Sequence, residues 1–166
     1  KTETGENEMF VRKIEKMDFL RGQSREEEPL FLAFCETGLT KHILEAEFSI
    51  DGYTHVASHR VNRRGGGVII YIRQDVPYKI LTTVSDEMCS MVAVHLEKLN
   101  AIVFMVYRPP VSYKGKYHGE FLEKSFKDIV IKNIYNEMNK FKAPTPDIIA
   151  GDFNFPKAQW NAGIGT

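Results

Sequence analysis

The chain has 166 residues, 43% of them apolar and 27% charged, with 22 Lys and Arg against 22 Asp and Glu, a length and composition that suit one globular domain. Its longest apolar run, Ala101 to Tyr107, falls far short of the roughly 20 residues that cross a bilayer, which excludes a membrane-spanning helix. A net charge of zero excludes bulk attraction to nucleic acid, so any such binding has to come from a local patch or a bound cation.

The start, Lys1 to Asn7, is polar and mixed in charge and has the build of neither a signal peptide nor a transit peptide. In Glu6 to Arg21 the residues Phe10, Ile14, Met17 and Leu20 recur at spacings of four and three, with Gly22 just after; this predicts an amphipathic helix with a glycine stop. Leu30 to Cys35 is a continuous apolar run that halts at Glu36, the pattern of a strand buried on both faces. Thr37 to Phe48 carries Leu39, Ile43, Leu44 and Phe48 at helical spacing and predicts a short helix. Cys35 and Cys89 are too few for a disulfide scaffold or for a zinc site of their own, and are expected to be buried, reduced thiols of an intracellular protein.

From Tyr53 the pattern changes to short runs rich in Val, Ile, Phe and Tyr. Strands are predicted at Tyr53–Ser58, Val68–Ile72, Lys79–Val84, Met91–Leu96 and Ala101–Tyr107, the last two joined as a hairpin through Glu97–Asn100. A loop containing Pro109, Pro110 and Gly115 leads to a helix over His118–Phe141, whose Leu122, Phe126, Ile129, Val130, Ile134, Met138 and Phe141 share one face. After Pro144 and Pro146 a buried strand is expected at Asp147–Ala150, running into Gly151-Asp152-Phe153-Asn154, and the end, Asn161–Thr166, is a glycine-rich loop. Helices alternating with strands predict an α/β layered domain.

Four segments carry candidate chemistry. Glu36 puts a carboxylate at the end of a buried strand, where it is either compensated by a cation or caps the following helix. Asp152 and Asn154 alternate with Phe153 at another strand end, so two oxygen-bearing side chains face one way; this suits a hard cation such as Mg²⁺, or else a simple turn. Arg60, Arg63 and Arg64 precede Gly65-Gly66-Gly67. Glycines admit a ligand close to the backbone and arginines pair with phosphates, and the alternative is a flexible charged turn. The segment lacks the Lys-Ser/Thr ending of a nucleotide-binding phosphate loop. Tyr107-Arg108-Pro109-Pro110 ends a strand with a phenol and a fixed cation, either a phosphate contact or a terminating loop.

In their order, Glu36-Thr37, the arginine-preceded Gly65-Gly66-Gly67-Val68-Ile69-Ile70-Tyr71, Tyr107-Arg108-Pro109-Pro110 and Gly151-Asp152-Phe153-Asn154-Phe155-Pro156 resemble the endonuclease/exonuclease/phosphatase superfamily. More narrowly, with Trp160 following, they resemble the apurinic-type endonuclease domain of LINE-type (non-LTR) retrotransposons. The likeness runs from about Glu8 to Asn161. It implies a partial four-layer, DNase I-like α/β sandwich of two mixed β-sheets flanked by helices. The chain would be one incomplete domain over residues 1–166, without the family's first strand and C-terminal third. It implies Mg²⁺, with Mn²⁺ as a substitute, on Glu36 and Asp152, Tyr107 at the scissile phosphate, and Asp152 with Asn154 orienting the attacking water and the transition state. Arg60, Arg63, Arg64, Gly66 and Arg108 would lie on the DNA. The function implied is nicking of target DNA within a longer polyprotein that includes a reverse transcriptase, in the nucleus and away from membranes.

The departures from the family are an absent leading strand with its active-site Asn and an absent Ser-Asp-His segment. None of His42, His55, His59, His95 and His118 belongs to an Asp-His pair, and all five are expected to be structural or exposed. General acid–base assistance is worth about 10²–10⁴ in rate, so the chain as it stands is expected to be weak or inactive. Two alternatives remain: a non-catalytic remnant or partner-binding domain of the same fold, and a phosphatase or phosphodiesterase of the superfamily.

Overall fold

The computed structural model describes residues 3–40, 42–59, 65–86, 89–110, 123–124, 126–140 and 147–155. Helix α1 (Glu3–Glu27) leads into strand β1 (Phe31–Cys35), and a short helix α2 (Glu45–Phe48) precedes β2 (Tyr53–Ser58) and β3 (Val68–Arg73). Strands β4 (Tyr78–Ser85), β5 (Ser90–Leu96) and β6 (Ala101–Tyr107) follow. A π-helical turn (Lys127–Ile131) runs into α3 (Lys132–Met138), and β7 (Asp147–Asp152) comes last.

The strands form two sheets. One has the order β1-β3-β2 and is antiparallel; the other has the order β4-β5-β6-β7, with β7 parallel to β6 and the rest antiparallel. The period-2 alternation of side chains decides the layers. On β3, Val68, Ile70 and Ile72 face inward to meet Val92 and Val94 of β5 and Val103, Met105 and Tyr107 of β6, forming the core between the sheets. On the opposite face of β3, Ile69 and Tyr71 pack with Met17 and Leu20 of α1. On the opposite face of β6, Ile102, Phe104 and Val106 pack with Phe126, Val130 and Ile134. Helix, sheet, sheet, helix is a four-layer α/β sandwich, as expected. Because β6 is covered on both faces, all seven of its residues are buried.

Several elements differ from the sequence expectation. Helix α1 continues through Gly22 to Glu27: the glycine stays helical, and the turn beyond it is held by Ser24 Oγ donating to the Leu20 carbonyl and by Arg21 donating to the Ser49 and Ala46 carbonyls. The helix expected over Thr37–Phe48 shrinks to Glu45–Phe48, since Glu36 and Gly38 both adopt positive φ (54° and 61°) and divert the chain after β1. The strand expected at Asp147–Ala150 extends to Asp152, but among the described residues it pairs on one side only, with Ile148 and Ile149 exposed at 41% and 47%. Strand β1 is only half-buried along its length, because it too pairs on one side among the described residues. Of the helix expected over His118–Phe141, residues 118–122, 125 and 141 lie outside the described residues. Phe126, Val130 and Ile134 face the core as predicted, whereas Met138 is exposed.

Candidate active site

Three strand ends meet at one edge of the sandwich. Tyr107 and Asp152 are paired where β6 and β7 finish side by side, so two parallel strands deliver their carboxyl ends together, the place where α/β sheets collect ligands. Gly151 permits this pairing: a Cβ there would strike the Val106 carbonyl. Strand β1, from the other sheet, ends against the same point. The Cys35 thiol donates to the Val106 carbonyl at 3.3 Å and accepts from the Asp152 N–H at 3.3 Å. Glu36, the next residue, is thereby brought to the Asp152 edge. Burial pushes the Cys35 thiol up; the bond from the Asp152 amide opposes this, and the carboxylates of Asp152 and Glu36 add to it. Two acids thus act on one thiol.

The segment after Glu36 is fixed from the glycine loop. Gly38 N–H donates to the Gly66 carbonyl at 3.0 Å, and a Cβ on Gly67 would stand 2.8 Å from Thr37 Oγ1 and 3.1 Å from the Ser58 carbonyl. Gly65, Gly66 and Gly67 all have positive φ (77°, 75° and 88°), a conformation that glycine adopts without strain. The close approach that these glycines allow is therefore to the chain's own Thr37–Gly38 loop, and Gly66, expected at the DNA, is buried against it. Arg60, Arg63 and Arg64 lie outside the described residues.

Asp152–Phe155 forms a tight turn in which the Asn154 N–H donates to Asp152 Oδ1 at 3.2 Å and Asn154 adopts φ 46°. Arg108 grips this turn. Its N–H donates to the Asp152 carbonyl at 2.8 Å, Nη1 donates to the Phe153 and Asn154 carbonyls at 3.2 and 2.9 Å, and its carbonyl accepts from Asn154 Nδ2 at 2.7 Å. Arg108 is 2% exposed. The expectation that it contacts DNA is corrected here: a guanidinium turned inward onto backbone carbonyls has no surface to offer a phosphate. Tyr107 is also interior, 4% exposed and packed with the core between the sheets.

No set of three or more His, Cys, Asp or Glu side chains disposed to hold a metal occurs among the described residues. What the edge offers is two carboxylates, Glu36 exposed and Asp152 half-buried, and the Asn154 amide. The ion pairs of the described residues, such as Arg73–Asp75 and Lys79–Glu97, lie elsewhere, so among the described residues no lysine or arginine is paired with Glu36 or Asp152. One or two carboxylates completed by water fit Mg²⁺ or Mn²⁺ and do not fit zinc, which takes a closed nitrogen- and sulfur-rich shell. Two residues of this edge carry little signal in the sequence. Cys35 looks like any core thiol, and its only signal is its place directly before Glu36. Arg108 stands out by its charge, while the aromatic residues that bury it, Phe126 and Phe155, are remote in sequence.

Solved structures share this architecture. An AP endonuclease from Archaeoglobus fulgidus superposes with a TM-score of 0.54 at 18% identity, over 87% of this chain and 53% of its own. A mannosyl-6-phosphatase from Bacteroides thetaiotaomicron gives 0.54 at 15% identity, over 84% and 57%. An endonuclease/exonuclease/phosphatase from Bacteroides vulgatus gives 0.52 at 14% identity, over 86% and 58%. The chain therefore spans a little over half the length of these structures. No family model matches the chain, and no curated protein matches it by sequence. The structural neighbours are hydrolytic enzymes of the endonuclease/exonuclease/phosphatase superfamily, and the fold is the DNase I-like sandwich that they share.

Proposed function

We propose that this chain forms part of a Mg²⁺-dependent phosphodiesterase that nicks DNA, of the kind carried by LINE-type retrotransposons ahead of a reverse transcriptase, and that it acts in the nucleus. The observation that carries the reading is the Cys35 link between sheets, which ties the end of β1, directly before Glu36, to Val106 and Asp152 at the paired ends of β6 and β7. Glu36 and Asp152 are the residues that would hold the metal. When bound, Mg²⁺ polarises a phosphoryl oxygen and stabilises the charge on the leaving oxygen. Asn154, whose Nδ2 is committed to the Arg108 carbonyl, presents its Oδ1, an acceptor suited to orienting a water beside the Asp152 carboxylate. Arg60, Arg63 and Arg64 are the candidate DNA contacts, whereas Tyr107, buried like Arg108, serves the core between the sheets. Turnover by this chain is expected to be low, because none of its five histidines belongs to an Asp-His pair that could move a proton.

DNA is preferred over a phosphorylated sugar on the motif resemblance, whereas the neighbours include both kinds of enzyme. Fluorescence anisotropy of a labelled DNA duplex separates the two. The reading expects binding in Mn²⁺ that is lost in EDTA and in Glu36→Gln, and that mannose 6-phosphate does not displace. Thermal protection by mannose 6-phosphate and Mn²⁺, without duplex binding, would instead support the phosphatase alternative.

A further inference from the structure

We propose that Arg108 is a positioning residue of this site, a latch that fixes Asp152 and Asn154 as one rigid unit; the proposal rests on the reading that these two residues work at a phosphate. Four consecutive residues, Asp152 to Phe155, are each held by this one side chain or its peptide. Its N–H takes the Asp152 carbonyl at 2.8 Å, Nη1 bridges the carbonyls of Phe153 and Asn154 at 3.2 and 2.9 Å, and the guanidinium carbon stands 3.8 Å from the Phe155 ring centroid.

The return bond, Asn154 Nδ2 to the Arg108 carbonyl at 2.7 Å, makes the grip reciprocal. Asn154 adopts φ 46°, a left-handed conformation that asparagine tolerates better than most non-glycine residues. Here both its main-chain carbonyl and its side-chain amide end on Arg108. Since Asn154 N–H also meets Asp152 Oδ1, the carboxylate and the amide cannot turn independently of the latch.

The construction is costly in a way that a merely convenient surface arginine is not. Arg108 is 2% exposed, its Nε has no hydrogen-bond partner, and burial holds its pKa down against the opposing charge of Glu123. A desolvated cation is destabilising unless compensated, and the compensation comes from the two carbonyls at Nη1 and from the faces of Phe155 and Phe126, the latter 5.9 Å away. Lysine is a poor substitute, because a compact, strongly hydrated ammonium cannot lie flat on the Phe155 ring while one of its donors reaches the Phe153 and Asn154 carbonyls.

The test compares wild type with Arg108→Lys and Arg108→Met by Mn²⁺ titration calorimetry, with metal-free thermal unfolding as the fold control. Outer-shell residues that orient a metal ligand typically contribute 10–100-fold in affinity. Both variants are therefore expected to bind Mn²⁺ about 10–100-fold more weakly, whatever their change in metal-free melting temperature. Affinities within twofold of wild type would reduce Arg108 to a packing residue and overturn the proposal, while leaving the metal reading intact. Absence of Mn²⁺ binding in wild type overturns the metal reading itself. Should neither variant fold, hydrogen exchange at the Asn154 side-chain amide of the wild-type chain decides: slow exchange supports the latch and solvent-like exchange overturns it.

Discussion

Gly151 lies so close to the Val106 carbonyl that a Cβ has nowhere to go, and this single absence of a side chain lets β7 bring Asp152 level with Tyr107. Gly151→Ala has to shift the β6–β7 pairing or move the strand end, and is expected to cost about 2–4 kcal/mol in urea unfolding, from overpacking together with strain at φ 151°. Tyr71, on the other side of the molecule, donates its hydroxyl to the Phe48 carbonyl, and burial, opposed by Arg21, pushes its pKa from 10.0 up to about 12. A phenol held neutral in the fold and free to ionise in the unfolded chain stabilises fully below pH 10. That stability is lost as pH rises from 10 towards about 12, and the whole effect is about 2–3 kcal/mol. Melting curves should therefore show Tyr71→Phe less stable than wild type at pH 8 by about 1 kcal/mol, from the lost hydrogen bond. The gap should narrow or reverse by pH 12. A constant gap across that range would contradict the assignment.

At the scale of elements, helix α1 illustrates how tertiary contacts override a local stop signal. Gly22 is helical and a Cβ there meets nothing within 4 Å, so Gly22→Ala should raise stability by about 1 kcal/mol, read as an increased denaturant midpoint at unchanged slope. The same override accounts for much of what sequence did and did not disclose. Runs such as Ala101–Tyr107 and Tyr53–Ser58 are legible to the residue, because β-branched and aromatic residues confined between layers leave few alternatives. The helix expected after Glu36 is mostly absent because two positive-φ residues and a bond from Gly38 to Gly66 redirect the chain, and nothing in the apolar spacing encodes a contact 28 residues away. At the candidate site, the strand-end acids were legible from where the apolar runs stop. The inward turn of Arg108 was not, since an arginine beside two prolines looks the same whether it faces a ligand or a backbone carbonyl.

The whole molecule is a four-layer sandwich whose two sheets, packed over an apolar core, are also linked among the described residues by polar contacts at two places. On one side Ser58 Oγ donates to the Val84 carbonyl and meets Ser85 Oγ; on the other the Cys35 thiol spans Val106 and Asp152. The second contact coincides with the candidate active edge, so cohesion of the sheets and juxtaposition of Glu36 with Asp152 are one and the same geometry. Strand β7, paired on one side among the described residues, leaves Ile148 and Ile149, successive residues that point to opposite faces, both exposed, while the chain covers 53% of the Archaeoglobus fulgidus structure's length. Full hydrolytic activity accordingly belongs to the proposal for the longer protein, and the claim that this chain can answer is metal binding. At a metal concentration about a hundred times Kd, a single site stabilises by about 2.7 kcal/mol, equivalent to about 5–10 °C in melting temperature for a domain of this size. Thermal unfolding with and without Mg²⁺ or Mn²⁺, on wild type, Glu36→Gln and Asp152→Asn, is the most direct measurement. The account predicts a rise of that size in wild type and the loss of most of it in both variants. No rise in wild type, or an equal rise in all three proteins, would contradict it.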